Sequence, residues 1–386
     1  MKLQLLALAG IAMGLYPLIS MAGSSQDCRV EVYRMSPEDW NHIPSAVRDD
    51  SSQLYEKCRA AAGNGKIECL DRIGGNAEAG KRSVFESISE LKYATSFSSD
   101  GKILMPGSFE TRTTGSTLQC ELMDHATGSI TYNRASLARW LPMLGTGAKG
   151  DIKRSEKPVF DSMKIAGFAS GGPCLLSVMP IPAGGEKPAN LAVVFALSNG
   201  PAVPSATVAG IRLEMLVLRG LSGARLDSGL IKSLLARPGA VETDIALTTN
   251  DGSEGLAAAF TEWTYPNSAS RNGDVLVPRN FETLNDGTTL QFTCKNSGTT
   301  CAVTFQLTHD LRKPLISIAD GVGPALVTPA TTTLFRLTVK DEMQLVSGTW
   351  TAVKEVPLAP ILGTSDDTLK NQSCYVFAKV LVKNGS

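Results

Sequence analysis

The chain has 386 residues, and its 37 Lys and Arg are matched by 37 Asp and Glu. The summed charge therefore supplies no drive toward nucleic acid or anionic lipid. The length exceeds one ordinary core and suits two units of about 100–200 residues each. The only histidines are His42, His125 and His309, none beside a cysteine pair, so a Cys/His zinc site has no ligand set and no metal is expected.

The first 22 residues read as a secretory signal peptide: Lys2, an apolar run from Leu3 to Ile19 broken by Gly10, Gly14 and Pro17, then Ser20-Met21-Ala22 as a small-x-small cleavage site. A permanent membrane anchor is the weaker reading, because the run is short of the ~20 apolar residues of a typical span and carries helix breakers. The mature chain is expected to be exported, to the periplasm or the outer membrane.

A strand, "CRVEVYRM" (28–35), opens the mature part. A helix is expected over "PEDWNHIPSAVRDDSSQLYEKCRAAAG", interrupted at Pro44 and capped by Ser36, whose hydroxyl can accept from free N–H groups. Next come "KIECLDRI" and a run of Thr-, Val- and Phe-rich strands, ending in "SGGPCLLSVMPIP" and "LAVVFALSN" (191–199). The order then restarts. "IRLEMLVL" (211–218) corresponds to the first strand, "DSGLIKSLLARPG" to the helix with Asp227 as its cap, and "AVETDIAL" to the strand after it. "SGTWTAVKEVP" and "CYVFAKVLV" (374–382) match the late elements.

The strongest sign of duplication is a repeated phrase. "ILMPGSFETRTTGSTLQC" (103–120) returns 172 residues later as "VLVPRNFETLNDGTTLQF" (275–292), and residues 90–120 laid over 262–292 share 14 of 31 positions. Such self-similarity must be respected before any fold is assigned. The expected architecture is α+β with β dominant: two tandem homologous domains, 24–199 and 208–386, each mostly antiparallel sheet with one packed helix, joined by a Pro/Gly linker at 200–207. A doubly wound parallel fold would need a helix between successive strands, and that period is missing.

Within the phrase, Pro106 and Pro278 are expected to set a corner by fixing φ and removing a donor. Gly115 and Gly287 are expected at turns that need positive φ, the second in Asn-Asp-Gly. Phe109 and Phe281 read as core plugs. Glu110 and Glu282 are a repeated acid beside a repeated aromatic, either a cross-strand partner of a neighbour or a catalytic carboxylate. Neither copy repeats an Asp, His or Lys at a fixed offset from its Glu, and no G-x-S-x-G, Walker loop or Cys–His pair is present, so no catalytic residue and no cofactor is assigned. In His309-Asp310, strand alternation predicts that one of the two is solvated.

The eight cysteines, an even count in an exported chain, read first as disulfides. Cys294 and Cys301 flank a polar turn at the base of an expected hairpin. Cys58 and Cys69 are the weaker candidate pair.

"GKRSVFESISELKYATSF" (80–97) with "FETRTTGSTLQ", "LLARPGAVETDIALTTNDG" (234–252) with "FETLNDGTTLQ", and the closing "LAVVFALSNG" and "CYVFAKVLVKNG" resemble the C-terminal β-domain of secretins. Secretins are the ring-forming outer-membrane channels of type II and type III secretion and type IV pilus systems. The late phrase of that domain survives only as "VPLAPILG" (356–363), in the second copy. The resemblance implies two degenerate secretin-type units used as a structural or protein-binding module of the envelope, with a secretion or pilus component as partner. The alternatives are a homo-oligomeric, ring-forming channel component and an exported hydrolase using Glu110 or Glu282.

Overall fold

The computed structural model describes residues 25–383, apart from 103, 123–126, 143–155, 171, 182–189, 200–209, 238, 274, 312–314, 318–330, 334 and 363–370. The expected signal peptide (1–22) and linker (200–207) lie outside the described residues. In the first copy the elements are β1 (Ser25–Met35), α1 (Pro37–His42), α2 (Ser45–Asp49), α3 (Ser51–Gly63), β2 (Glu68–Glu78), β3 (Arg82–Ala94), β4 (Phe97–Ser99), β5 (Leu104–Pro106), β6 (Phe109–Leu122), β7 (Thr127–Pro142), β8 (Glu156–Ser170), β9 (Gly172–Pro180) and β10 (Leu191–Asn199). The second copy supplies β11 (Gly210–Leu221), α4 (Ser228–Leu235), β12 (Val241–Asn250), β13 (Glu254–Asn272), β14 (Val275–Asn296), β15 (Thr300–Asp310), β16 (Leu315–Ser317), β17 (Thr331–Thr333), β18 (Arg336–Val346), β19 (Thr351–Pro357), α5 (Ala359–Leu362) and β20 (Gln372–Lys383).

Strand dominance with large antiparallel sheets agrees with the expected fold class. The duplication is visible residue by residue. Ile88 lies opposite Gly115 and Phe260 opposite Gly287; Ala94 faces Phe109 as Pro266 faces Phe281; Phe97 pairs with Pro106 as Ala269 does with Pro278.

The two copies do not close separate sheets. One eight-stranded sheet runs β19-β20-β11-β12-β9-β10-β1-β2 and the other β18-β15-β14-β13-β8-β7-β6-β3, so each takes four strands from each copy. β12 pairs with β9 and β13 with β8 to carry the ladders across the boundary. The inner faces meet in one continuous core, with Val30, Val194, Leu118 and Tyr132 from the first copy beside Leu213, Val376, Leu290 and Phe305 from the second. Two separate cores, as the domain boundaries suggested, are replaced by one, because each copy ends in strands whose free edge is best satisfied by the next copy.

Helices cover the outer face of the first sheet, here called the helix-bearing sheet. Leu54, Tyr55 and Cys58 of α3 pack on Tyr33 and Phe195, and Ile231 and Leu234 of α4 pack on Leu216, Leu218 and Tyr375. That cover explains why β11, "GIRLEMLVLRGL", is buried on both faces along most of its length. Both expected caps form: the Ser36 hydroxyl accepts from the Asp39 N–H at 3.0 Å, and Asp227 accepts from the Gly229 and Leu230 N–H groups at 2.9 and 3.0 Å. Pro44 does split the helix, and Asp50 starts α3 with a cap of its own.

The expected turns at Gly115 and Gly287 are overturned. Both glycines lie inside uninterrupted strands, β6 and β14. Gly115 has φ +108, whereas Gly287 is not among the positive-φ glycines. Their common property is close approach: a Cβ at Gly115 would lie 2.1 Å from the Ser87 carbonyl oxygen, and one at Gly287 2.1 Å from that of Ala259. The β6–β7 ladder ends at Gly115, and the β14–β15 ladder ends one residue past Gly287, at Thr288. Each glycine thus marks where a two-stranded arm parts from the next strand of the sheet.

Candidate functional site

Beyond Gly115 the arm formed by β3 and β6 lies against β8 and against the corresponding arm of the second copy. Arg112 of β6 makes a two-pronged ion pair with Glu262 of β13, NH2 to Oε2 at 2.9 Å, and its guanidinium stacks 4.0 Å from the centre of the Phe160 ring. Tyr93 meets the same ring edge-on at 6.1 Å. At the arm's outer end Phe97, Leu104 and Val277 form a small apolar cluster with Phe281. The tips also touch: Asn272 donates to the Ser99 carbonyl at 2.6 Å, and a Cβ at Gly273 would lie 2.8 Å from the Gly101 oxygen.

Lys157 sits in the middle of this seam with 1% of its surface exposed. Its Nζ lies 4.0 Å from the Phe281 ring centre, with Tyr93 and Phe97 at 5.4 and 5.7 Å. Burial pulls the ammonium down to about 8, against the opposing charge of Glu110. An aromatic cage of this kind holds a cation by ring quadrupoles.

A second joint forms on the helix side. Asp49, at the end of α2, accepts from Arg212 at 3.1 Å and Lys379 at 2.9 Å, and Glu214 pairs with the same two cations at 2.9 and 3.1 Å. Both cations are almost fully buried. Beside them Trp40 of α1 donates to Asp244 of β12 at 2.8 Å. Burial, reinforced by Glu214, raises Asp244 to about 6. The helices of the first copy are therefore fastened to the sheet strands of the second through buried charge, which is tolerable only because each charge is paired.

The expected site residues distribute as follows. Glu110 accepts from the Tyr93 hydroxyl at 3.3 Å, and Glu282 from Tyr265 at 3.1 Å and Asn267 at 2.6 Å. Both are exposed cross-strand partners of a repeated tyrosine. Pro106 ends β5, and Pro278 lies within β14 near Asn280, which takes φ +47, so the corner is local to each arm. Phe281 is half-buried in the seam, but Phe109 is 50% exposed under Lys92 rather than a core plug. His309 and Asp310 are both buried: His309 shares a hydrogen bond with Thr288, and Asp310 accepts from Arg336 and from the Gly287 N–H. A strand end packed by core on one side and an arginine on the other leaves neither solvated.

The eight cysteines are free thiols in this structure. Cys58 is buried on α3 and Cys69 is exposed on β2, and the two are not bonded. Cys294 is opposite Val303 and Cys301 opposite Asn296, whose side-chain oxygen accepts from the Cys301 thiol at 3.9 Å. These two cysteines are diagonal neighbours in the ladder and are not bonded to each other in this structure.

Arg112 and Lys157 escaped the sequence reading. A signal for Arg112 did exist: it stands in the repeated phrase where the second copy has Leu284, a charge for an apolar residue amid identities. Among the described residues no cluster of His, Cys, Asp and Glu is arranged to hold a metal, and no helix is long and apolar enough to cross a membrane. A polar cleft of 350 Å³ lined by Arg34, Asp39, Lys66 and Glu68 is shallow and open. No family model, curated protein or solved structure matches the chain.

Proposed function

We propose that this is an exported, non-enzymatic structural module of the cell envelope that binds a protein of the secretion or pilus machinery through its free sheet edges. One observation carries the reading: among the described residues, the strands that join the copies to each other have counterparts left unpaired at the two ends. β2 and β3 bound one end and β18 and β19 the other. By the repeat, β2 and β3 correspond to β12 and β13, which inside the molecule pair with β9 and β8. Open strands of this kind accept a partner's strand by main-chain hydrogen bonding. The β3 edge adds exposed apolar side chains, Val84 at 53% and Ile88 at 48%, between Arg82, Glu86 and Glu90. The resemblance to secretins read from the sequence favours a partner from that machinery.

The test places a photo-crosslinking residue at Ile88 and at Val346, the exposed end of β18, and irradiates intact envelopes. Crosslinks to a secretion or pilus protein support the reading. Recovery of the chain in the cytosol, or crosslinks spread over unrelated abundant proteins, would sink it.

A ring-forming reading is favoured by the same edges, since one copy's β18–β19 edge could meet the next copy's β2–β3 edge as β8–β9 meet β12–β13. Such heterologous contacts generate rings or filaments. Against it stands Leu284 at the place of Arg112, which would deny Glu90 of the next copy the ion pair that Glu262 receives inside the molecule. Heat-resistant multimers on a mild detergent gel would favour the ring over the heterologous partner.

A further inference from the structure

We propose that Cys28 and Cys120 form a disulfide that ties the helix-bearing sheet to the opposite sheet in the oxidised protein. Cys28 is on β1 and Cys120 on β6, both are fully buried, and both belong to the single inner core. The ladders place them in the same part of the core independently of the sulfurs. Cys28 lies opposite Gly75 of β2, and a Cβ at Gly75 would be 2.7 Å from the Phe85 ring of β3. Phe85 lies opposite Leu118, and Cys120 projects from the same face of β6 two positions on. Each thiol also perturbs the other: Cys120 raises Cys28, and Cys28 lowers Cys120.

The repeat strengthens the case. The second copy has Ile211 where the first has Cys28, and Phe292 where it has Cys120, both buried in the same core. Where the first copy has two cysteines, the second has two apolar side chains at the corresponding places. An isolated buried cysteine is merely a small apolar residue, but two in the same part of one core, one on each sheet, can be joined by an oxidant.

The oxidant is a disulfide, small or protein-borne. A thiolate of one cysteine attacks it to give a mixed disulfide, the second thiolate displaces the carrier sulfur, and the carrier leaves as two thiols. The two cysteines lose two protons and two electrons, and the carrier gains them. Because neither sulfur is exposed in the closed fold, exchange belongs to folding, before the sheets meet. The supply of oxidant in the cell rests on the export reading above; the geometry does not.

The full chain is unfolded and reduced, then refolded with either a glutathione redox mixture or excess reductant. Free thiols are alkylated, and the unreduced protein is digested for mass spectrometry. The expected result is a linked peptide pair containing Cys28 and Cys120 after oxidative refolding only, with a rise in Tm on the order of 5 °C. The double variant Cys28→Ile/Cys120→Phe, which restores the second copy's pair, should fold and show no difference in Tm between the two treatments. Alkylation of both cysteines in chain that has refolded oxidatively to native circular dichroism overturns the bond. Chain taken from its own cells and alkylated without reduction separates the two readings. If it is unlinked there yet linked after refolding, the bond stands and the export reading falls.

Discussion

Arg112 and Glu262, 150 positions apart in the chain, face each other across the seam as a bidentate pair with side chains 26% and 17% exposed. One belongs to each copy, so the contact reports directly on how the copies fit together. Paired guanidinium and carboxylate forks are among the stronger charge-assisted contacts, and partial burial protects them from salt.

Replacing Arg112 by Leu, the residue of the second copy, is expected to lower stability by about 1–3 kcal/mol, since Glu262 is left partly buried without its partner. Glu262→Gln should cost a similar amount. In urea melts the double variant should lose less than the two single losses together, a coupling of roughly 1 kcal/mol. Strictly additive losses would mean that the pair contributes nothing.

Lys157 predicts a pH dependence. Its folded pKa, near 8, lies below the 10.5 of a free lysine, so the folded state disfavours the charged form. The penalty is fully present below pH 8 and is relieved as pH rises from 8 through 10.5. Lys157→Met should raise stability at pH 7 by something on the order of 1–3 kcal/mol and flatten the profile in that window. Thermal melts at pH 7 and 9.5 decide it; a Met variant less stable at both would show that the aromatic cage outweighs the burial of charge.

Asp244 carries the opposite sign. An acid whose folded pKa is raised to about 6 contributes most below its unfolded value, and that contribution fades as pH rises through 6. Asp244→Asn keeps an oxygen to accept from Trp40 and removes the charge. We expect it to stabilise the chain by about 1–2 kcal/mol at pH 7.5 and to change nothing at pH 4. An equal effect at both values would assign the shift to packing.

Gly287→Ala should be severe, because its methyl would meet the Ala259 carbonyl at 2.1 Å. A loss of about 2–4 kcal/mol is expected. Gly63→Ala, at the end of α3 with open space around it, should be neutral or gain up to about 1 kcal/mol. Similar denaturation midpoints for the two variants would refute the close-approach account.

The second copy alone, residues 208–386, is expected to self-associate rather than stand as a monomer, since β12 and β13 would lose the strands that cover them. Light scattering measures this; a stable, cooperative monomer would show that each copy closes a core unaided.

Much of the local structure is legible in the residues. Ser36 and Asp227 start helices where short oxygen-bearing side chains precede an apolar period, and β10 spans the residues of "LAVVFALSN". The glycine of the repeated phrase misled, because a turn and a close strand crossing both demand a missing Cβ, and only the neighbouring backbone tells them apart. Phe109 misled for a related reason: its apolar character says that cover is favourable, and only the stacking of arms decides which copy receives it.

The residues alone determined that one unit occurs twice, that each is strand-rich, and that a helix follows its first strand, since propensity, capping and repetition are carried within short windows. Tertiary structure alone decided that the copies share two sheets and one inner core, that Arg112 meets Glu262, and that Cys28 and Cys120 lie in that same core. Those contacts join positions far apart in the chain, and their partners are chosen by the order of strands across a sheet, which no local pattern encodes.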